Sequence, residues 1–122
     1  MNPLLVFFGA GIGGVLRHGV NLAAIRLGSG FPWGTMTINV AGSILMGVVT
    51  GWFALRGGSM QARLFIATGI LGGFTTFSTF SLEAFMLFER GETGGAIAYI
   101  LTSVIAGIGG LAFGLLLMRQ IL

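Results

Sequence analysis

The side chains best able to do chemistry lie in one short run near the middle of the 122-residue chain. After the pair Gly72-Gly73, the eight positions from Phe74 to Ser81 hold three phenylalanines and five hydroxyl residues. Each glycine weakens a helix by about 1 kcal/mol, so the run predicts a helix break. Backbone carbonyls freed there could hold a hard cation such as Na⁺. A simple kink, with threonine hydroxyls bonded to the preceding turn, is the competing interpretation.

Two of the phenylalanines are spaced to act together. Phe77 and Phe80 are three residues apart, so on a helix they share one face. An aromatic ring has a positive edge, which could meet a small anion without a full positive charge. The other interpretation is that both rings face lipid or the protein core.

Polar side chains also occur at regular intervals in two otherwise apolar stretches. Thr35, Asn39 and Ser43 form a stripe with a spacing of four residues, and Tyr99 and Ser103 repeat that spacing later. The Asn39 amide offers two hydrogen-bond donors. Both sets fit either hydrogen bonds between helices or the lining of a pore.

Few ionisable groups interrupt the apolar stretches. Arg17 could supply the positive field of an anion vestibule, or it could extend toward lipid headgroups. Glu83 could pair with Arg17 or Arg90, or act as a polar group at a helix end. We interpret His18 as interfacial.

The elements that carry these residues are transmembrane helices. Hydrophobic residues make up 55% of the chain and charged residues 7%, against about 25% charged in a soluble domain. A crossing needs about 20 mostly apolar residues. Four runs qualify, and their short connections predict one all-α integral membrane domain over residues 1–122. The predicted crossings, the third of them broken, are Pro3–Ile25, Phe31–Leu55, Leu64–Phe88 and Gly94–Met118.

Several functional classes are excluded by composition. The chain has no cysteine and a single histidine, which argues against thiol chemistry and a histidine-rich metal site. Its net charge of +3 is too thinly spread for binding nucleic acid. No nucleophile has a histidine–carboxylate pair and no carboxylates stand at catalytic spacing, so we expect no enzyme activity. The N-terminus lacks a basic signal-peptide segment, and we expect the first run to be retained.

The arginines divide evenly between the two sides of the membrane. One side carries Arg17, Arg26 and Arg90, and the other carries Arg56, Arg63 and Arg119. The bias of positive residues toward the cytoplasm then favours neither orientation. We therefore predict an antiparallel homodimer of oppositely inserted copies, whose eight helices could enclose a path about a two-fold axis in the membrane plane.

The run from Gly72 to Ser81 resembles the signature of the Fluc/CrcB family of fluoride channels. Further matching pieces are Gly13-Gly14-x-x-Arg17 in the first crossing and Gly34-Thr35-x-x-x-Asn39-x-x-Gly42 in the second. The resemblance spans all four crossings. It implies a dual-topology homodimer in the bacterial inner membrane, with two parallel pathways for passive fluoride efflux.

The resemblance also implies roles for individual residues. A central Na⁺ at the dimer interface would be held by the backbone carbonyls of Gly72 and Thr75. Arg17 matches the vestibule arginine, Glu83 matches an acidic position at the end of the polar track, and Gly107 stands where some members carry a second serine. The residues matching the fluoride pathway are Phe77, Phe80, Asn39, Ser78, Thr79, Ser81, Tyr99 and Ser103.

Two other functions compete with a channel. A small multidrug or cation exporter can also be a four-helix dual-topology dimer, but it would need a carboxylate early in the first crossing. The run Pro3–Ile25 has no acidic residue. A structural membrane subunit without transport activity is the second alternative.

Overall fold

The computed structural model describes residues 2–28 and 30–122 of the chain. Within these residues four helical spans are long and apolar enough to cross a membrane, and the predicted all-α membrane fold is confirmed to that extent. The spans are Pro3–Ile25, Trp33–Arg56, Met60–Glu89 and Thr93–Ile121.

The first two helices start and stop at recognisable signals. Helix α1 (Pro3–Ile25) is capped by Asn2, whose side-chain oxygen accepts the Leu4 N–H at 3.1 Å. Helix α2 (Trp33–Arg56) begins after Pro32 and ends at Gly57, whose φ of +75° favours glycine.

The third span consists of four pieces. Helix α3 (Met60–Arg63) is capped by the Ser59 hydroxyl and leads into a π-helical segment, Leu64–Leu71, and then into helix α4 (Gly72–Phe74). The chain is extended at Thr75, with φ −82° and ψ 158°, and helical structure resumes in α5 (Ser78–Glu89).

The helix break thus lies at residues 75–77, inside the predicted run but after the glycines. Gly72 and Gly73 were expected to interrupt the helix, and instead both are helical. The Gly72 N–H bonds to the carbonyl of Ala67, five residues earlier, which continues the π-helical pattern. In lipid a backbone without hydrogen bonds is costly, so the helical bonds outweigh the low propensity of glycine.

Helix α6 (Thr93–Ile121) packs mainly against α2. A Cβ atom at Gly47 would collide with the carbonyl oxygen of Leu111, and one at Gly114 would collide with that of Ile44. The backbones of the two helices therefore touch, as small residues permit in membranes.

The two halves of the third span pack against different helices. Gly9 and Gly13 of α1 meet the first half at Gly69 and Gly73, with backbone against backbone. Helix α5 instead packs mainly against α6. A buried core joins α5 to α2 and α6, and its members are Met36, Ala84, Leu87, Ala96 and Tyr99.

The contact between α1 and the third span can be tested at Gly9. An alanine Cβ there would lie 2.5 Å from the Phe65 carbonyl oxygen and 2.9 Å from the Gly69 Cα, and neither backbone atom can move aside alone. We expect Gly9→Ala to lower the free energy of unfolding by about 1–3 kcal/mol. The measurement is thermal unfolding in detergent micelles by circular dichroism.

Gly11→Ala is the matched control, because a Cβ at Gly11 meets nothing within 4 Å. The unfolding midpoint of Gly11→Ala should equal that of the wild type or lie slightly above it, because alanine favours a helix more than glycine does. Equal midpoints for the two variants would contradict the proposed close contact.

Candidate functional site

The centre of the site is a pair of hydrogen bonds that holds the helix break. The Asn39 side-chain amide on α2 donates to the Thr76 carbonyl at 2.9 Å, and the Thr76 N–H donates to the Asn39 side-chain oxygen at 2.9 Å. The asparagine side chain thus replaces both backbone bonds that Thr76 loses where the helix is interrupted. This satisfies a buried peptide group and fixes the break relative to α2.

Threonine hydroxyls shape the chain on either side of this pair. The Thr75 hydroxyl donates to the Leu71 carbonyl at 3.0 Å, and the Thr76 hydroxyl accepts the Thr79 N–H at 3.2 Å. The second bond is a typical helix cap, three residues before the bonded N–H. The simple-kink interpretation predicted a threonine hydroxyl bonded to the preceding turn, and the bond from Thr75 to Leu71 is of this kind.

Two backbone carbonyls at the break are left without a protein donor. No N–H or side chain of the described residues donates to the carbonyl oxygens of Gly72 or Thr75. The structure places both oxygens in the middle of a membrane span, where an unpaired carbonyl is costly.

A line of aromatic rings begins directly after the break. The ring centroids of Phe77 and Phe80 are 5.8 Å apart with an interplanar angle of 47°, and the Phe80 ring lies 5.1 Å from that of Tyr99. Phe80 is half-buried, whereas Phe77 is 79% exposed. The two predicted phenylalanines are therefore neighbours, and the Phe77 ring lies at the surface of the chain.

Buried oxygen atoms accompany these rings. The Tyr99 side chain is fully buried, and its hydroxyl lies next to the side chains of Thr35 and Glu83, but neither contact has the geometry of a hydrogen bond. The hydroxyl of Ser103 and one carboxylate oxygen of Glu83 are also buried and bond to no other residue in the described chain. Buried polar groups are normally satisfied, so this cluster of oxygens is where a ligand or water would bind.

Two cavities lie along α2 and the third span. The break cavity, of about 270 Å³, is lined by polar groups of Asn39, Ser43, Thr75 and Thr76 and by the Phe77 ring. The loop-side cavity, of about 520 Å³, lies near the ends of α1 and α5. Its polar lining consists of Asn21, Thr35, Thr79, Glu83 and Arg90.

The remaining predicted hydroxyls occupy varied surroundings. Ser78 is exposed, Thr79 is half-buried in the loop-side cavity, and Ser81 uses its hydroxyl to bond the Phe77 carbonyl at 3.0 Å. A Cβ atom at Gly107 would lie 3.6 Å from the Ser43 hydroxyl. Ser43 therefore supplies a hydroxyl beside the position where some family members carry a serine.

The predicted charged residues are not brought together. Arg17 is half-buried on α1 and lines neither cavity, while Glu83 lines the loop-side cavity. In residues 2–28 and 30–122 the only salt bridge joins Arg90 to Glu92, at 2.9 Å. Of the two alternatives for Glu83, the described residues show no ion pair with Arg17 or Arg90, which leaves Glu83 as a polar group in the cavity lining.

The sequence reasoning missed Thr76. Its backbone pairs with Asn39 and its hydroxyl caps α5, so it contributes more hydrogen bonds to the break than any predicted residue does. The sequence did contain a signal for the capping role of Thr76. A threonine just before a helix commonly accepts the N–H of the residue three positions later.

The role of Asn39 can be tested by amide hydrogen exchange. Asn39→Ala removes both bonds to Thr76, and leaving a buried group unsatisfied costs about 1–3 kcal/mol. We expect exchange of the Thr76 N–H to accelerate about tenfold or more, since 1.4 kcal/mol corresponds to a factor of ten. The measurement is exchange by mass spectrometry on protein in micelles.

Ser43→Ala serves as the control, because Ser43 is one turn away on α2, lines the same cavity and makes no side-chain hydrogen bond in the described chain. Protection of Thr76 should be unchanged in that variant. Equal protection in Asn39→Ala would show that the pair does not hold the break.

Comparison with known proteins identifies the family. The profile of the family described as CrcB-like protein, Camphor Resistance (CrcB), matches residues 4–115. A "Fluoride-specific ion channel FluC" from Methylobacterium nodulans is 66% identical over 98% of both chains. Proteins of the same name are 58% identical in Methylobacterium sp. (strain 4-46) and 55% identical in Beijerinckia indica, again over 98% of each chain. The resemblance stated from the helix-break motif is thereby confirmed, and the chain belongs to the CrcB-like protein family.

Proposed function

We propose that this chain is a fluoride-specific ion channel of the bacterial plasma membrane, through which fluoride leaves the cell passively. The observation that carries the proposal is the helix break held by Asn39, which sets hydroxyls, one free amide N–H and two aromatic rings at or beside the break cavity within a membrane span. The relatives named as fluoride-specific channels support it over their full length.

The lining suits a small and strongly hydrated anion. Fluoride gives up its water only if fixed donors replace it, and hydroxyls and positive ring edges are such groups. One amide hydrogen of Asn39 bonds to the Thr76 carbonyl. The other is available to a ligand in the break cavity, which Asn39 lines. The proposed pathway residues are Asn39, Phe77, Ser78, Thr79, Phe80, Ser81, Tyr99 and Ser103.

Passive conduction is sufficient for detoxification. Neutral HF crosses the membrane and dissociates inside, where the negative potential favours exit of the anion. This driving force is about 2.3 kcal/mol per charge for each 100 mV. No ATP site or proton-coupled carboxylate in α1 is required, which sets the proposal apart from a multidrug or cation exporter.

We also propose that two copies assemble as an antiparallel homodimer. The Phe77 ring is 79% exposed although it adjoins the polar break, and Gly72 beside the break is exposed as well. A second, inverted copy would cover this surface and bring two breaks together. The even division of the arginines supports dual topology.

A Na⁺ ion at that interface fits the carbonyl oxygens of the break. The Gly72 and Thr75 oxygens have no protein donor in the described chain, and hard cations prefer oxygen ligands. Bound there, the ion would supply positive potential in a medium of low dielectric, where charges act strongly. The fluoride pathway itself would still be formed by the side chains of this chain.

Fluoride efflux from liposomes tests the proposed function. Liposomes loaded with fluoride should release it to a fluoride electrode only when they contain the protein, and chloride-loaded liposomes should not release chloride. Phe77→Ile and Phe80→Ile remove the ring edges and should slow fluoride release by about tenfold or more, since 1.4 kcal/mol is one decade.

Unfolding midpoints of both variants should stay near that of the wild type, which separates lost conduction from lost assembly. Protein purified in N-methyl-D-glucamine instead of Na⁺ should lose flux and regain it in NaCl if the cation is exchangeable. Release no faster than from protein-free liposomes would refute the channel, and export of organic cations would favour the exporter.

Dual topology can be tested separately with single cysteines, because the native chain has none. A cysteine added at either terminus should react with a membrane-impermeant maleimide from both sides of the cell membrane in about equal amounts. Labelling from one side alone would exclude oppositely inserted copies.

A further inference from the structure

The loop-side cavity opens where two loops meet at one face of the membrane. Its lining combines Thr79 and Glu83 of α5 with Thr35 of α2, and Gly30 and Arg90 lie in the loops beyond the helix ends. Odd-numbered spans end on the same side, so the loop after α1 and the loop after α5 share this face. The cavity is a candidate mouth between the buried polar groups and the aqueous phase.

Arg90 connects the two loops at this mouth. Its Nη2 donates to the Gly30 carbonyl at 2.7 Å, and its Nε donates to a Glu92 carboxylate oxygen at 3.0 Å. Nη2 also forms a salt bridge with Glu92, at 2.9 Å from the carboxylate oxygen Oε2. The guanidinium is therefore held at the edge of the cavity by contacts to both loops.

The guanidinium keeps donors free for an anion. Of its five N–H groups, the bonds to Gly30 and Glu92 use those on Nε and Nη2, which leaves the pair on Nη1. The side chain is 47% exposed, so an ion from solution can reach it. A guanidinium is less strongly hydrated than an ammonium group, and an anion displaces its water more readily.

The lining of the cavity contains one side chain of each charge. Glu83 is the one acidic side chain that lines the cavity, and its carboxylate opposes the approach of an anion. Arg90 is the one basic side chain in that lining, and Glu92 offsets part of its charge. Arg26 and Glu89 are exposed near the same face but do not line the cavity.

We propose that the loop-side cavity is an anion vestibule and that Arg90 collects fluoride at its mouth, in addition to the Arg17 that the family resemblance suggested, which does not line this cavity. This inference rests on the proposed fluoride conduction and adds a residue and a site to it. A fixed positive charge in a concave mouth raises the local anion concentration, as arginine rings do in anion pores. The effect is electrostatic, so salt must weaken it.

The test measures initial fluoride efflux from liposomes at two ionic strengths, set with an impermeant salt. At about 10 mM the Debye length is about 30 Å, and we expect Arg90→Gln to reduce the rate about two- to fivefold. At about 1 M the Debye length is about 3 Å, and the variant should approach the wild-type rate. The protein enters liposomes in both orientations, and this mixture is the same for the wild type and the variants, so their rates can be compared.

Arg26→Gln is the matched control, because it removes the same charge from the same face without touching the cavity. At low salt its efflux should fall clearly less than that of Arg90→Gln, because Arg26 lies outside the cavity, and at high salt it should equal that of the wild type. Two further variants separate charge from the link between loops. Arg90→Lys keeps the charge and should retain most of the low-salt rate, and Glu92→Gln removes the offsetting charge and should raise that rate.

Wild-type rates in Arg90→Gln at low salt would overturn the vestibule, as would an equal loss in Arg26→Gln. A loss shared by Arg90→Lys and unaffected by salt would also overturn it, by showing that Arg90 acts only as a link. If Arg90→Gln does not fold, the directions of the Arg90→Lys and Glu92→Gln effects decide. Absence of efflux in the wild type would refute the proposed channel instead.

Discussion

The reciprocal hydrogen bonds between Asn39 and Thr76 are the constraint on which the site depends. A helix cannot be interrupted inside a membrane unless the freed peptide groups find partners. One asparagine amide satisfies the peptide group of Thr76, so the chain can turn extended at Thr75 and resume as α5. The positions of the Phe77 and Phe80 rings and the direction of the unpaired carbonyls follow from that one contact.

The same contact places α2 at the centre of both cavities. Thr35 lines the loop-side cavity, while Asn39 and Ser43, further along the helix, line the break cavity. The spacing of four residues keeps these side chains on one face of α2. On α6 the buried hydroxyls of Tyr99 and Ser103 bond to no other residue of the described chain. Polar groups of α2 and α6 thus lie within an otherwise apolar protein.

Part of this arrangement could be predicted from the sequence. Apolar runs of about 20 residues dictate membrane spans, and the structure has four spans where four were predicted. The partner of Asn39 could not be predicted, because Thr76 is 37 residues away and only the packed fold brings them together. The π-helical segment, which packs mainly against α1, also has no signal in its own sequence. The two alternatives for Glu83 could not be separated from the sequence, because opposite charges do not show which helix faces they occupy.

The break divides the third span between two separate bodies of the molecule. The carbonyls of Gly72 and Thr75 follow a segment packed on α1, whereas Phe80 and Glu83 belong to a helix packed on α6 and α2. Substitutions in α1 therefore act first on the carbonyls of Gly72 and Thr75, and substitutions in α6 act first on Phe80 and Glu83. In the proposed channel, binding of the cation at the dimer interface and recognition of the anion would thus depend on different helices, within a chain of only 122 residues.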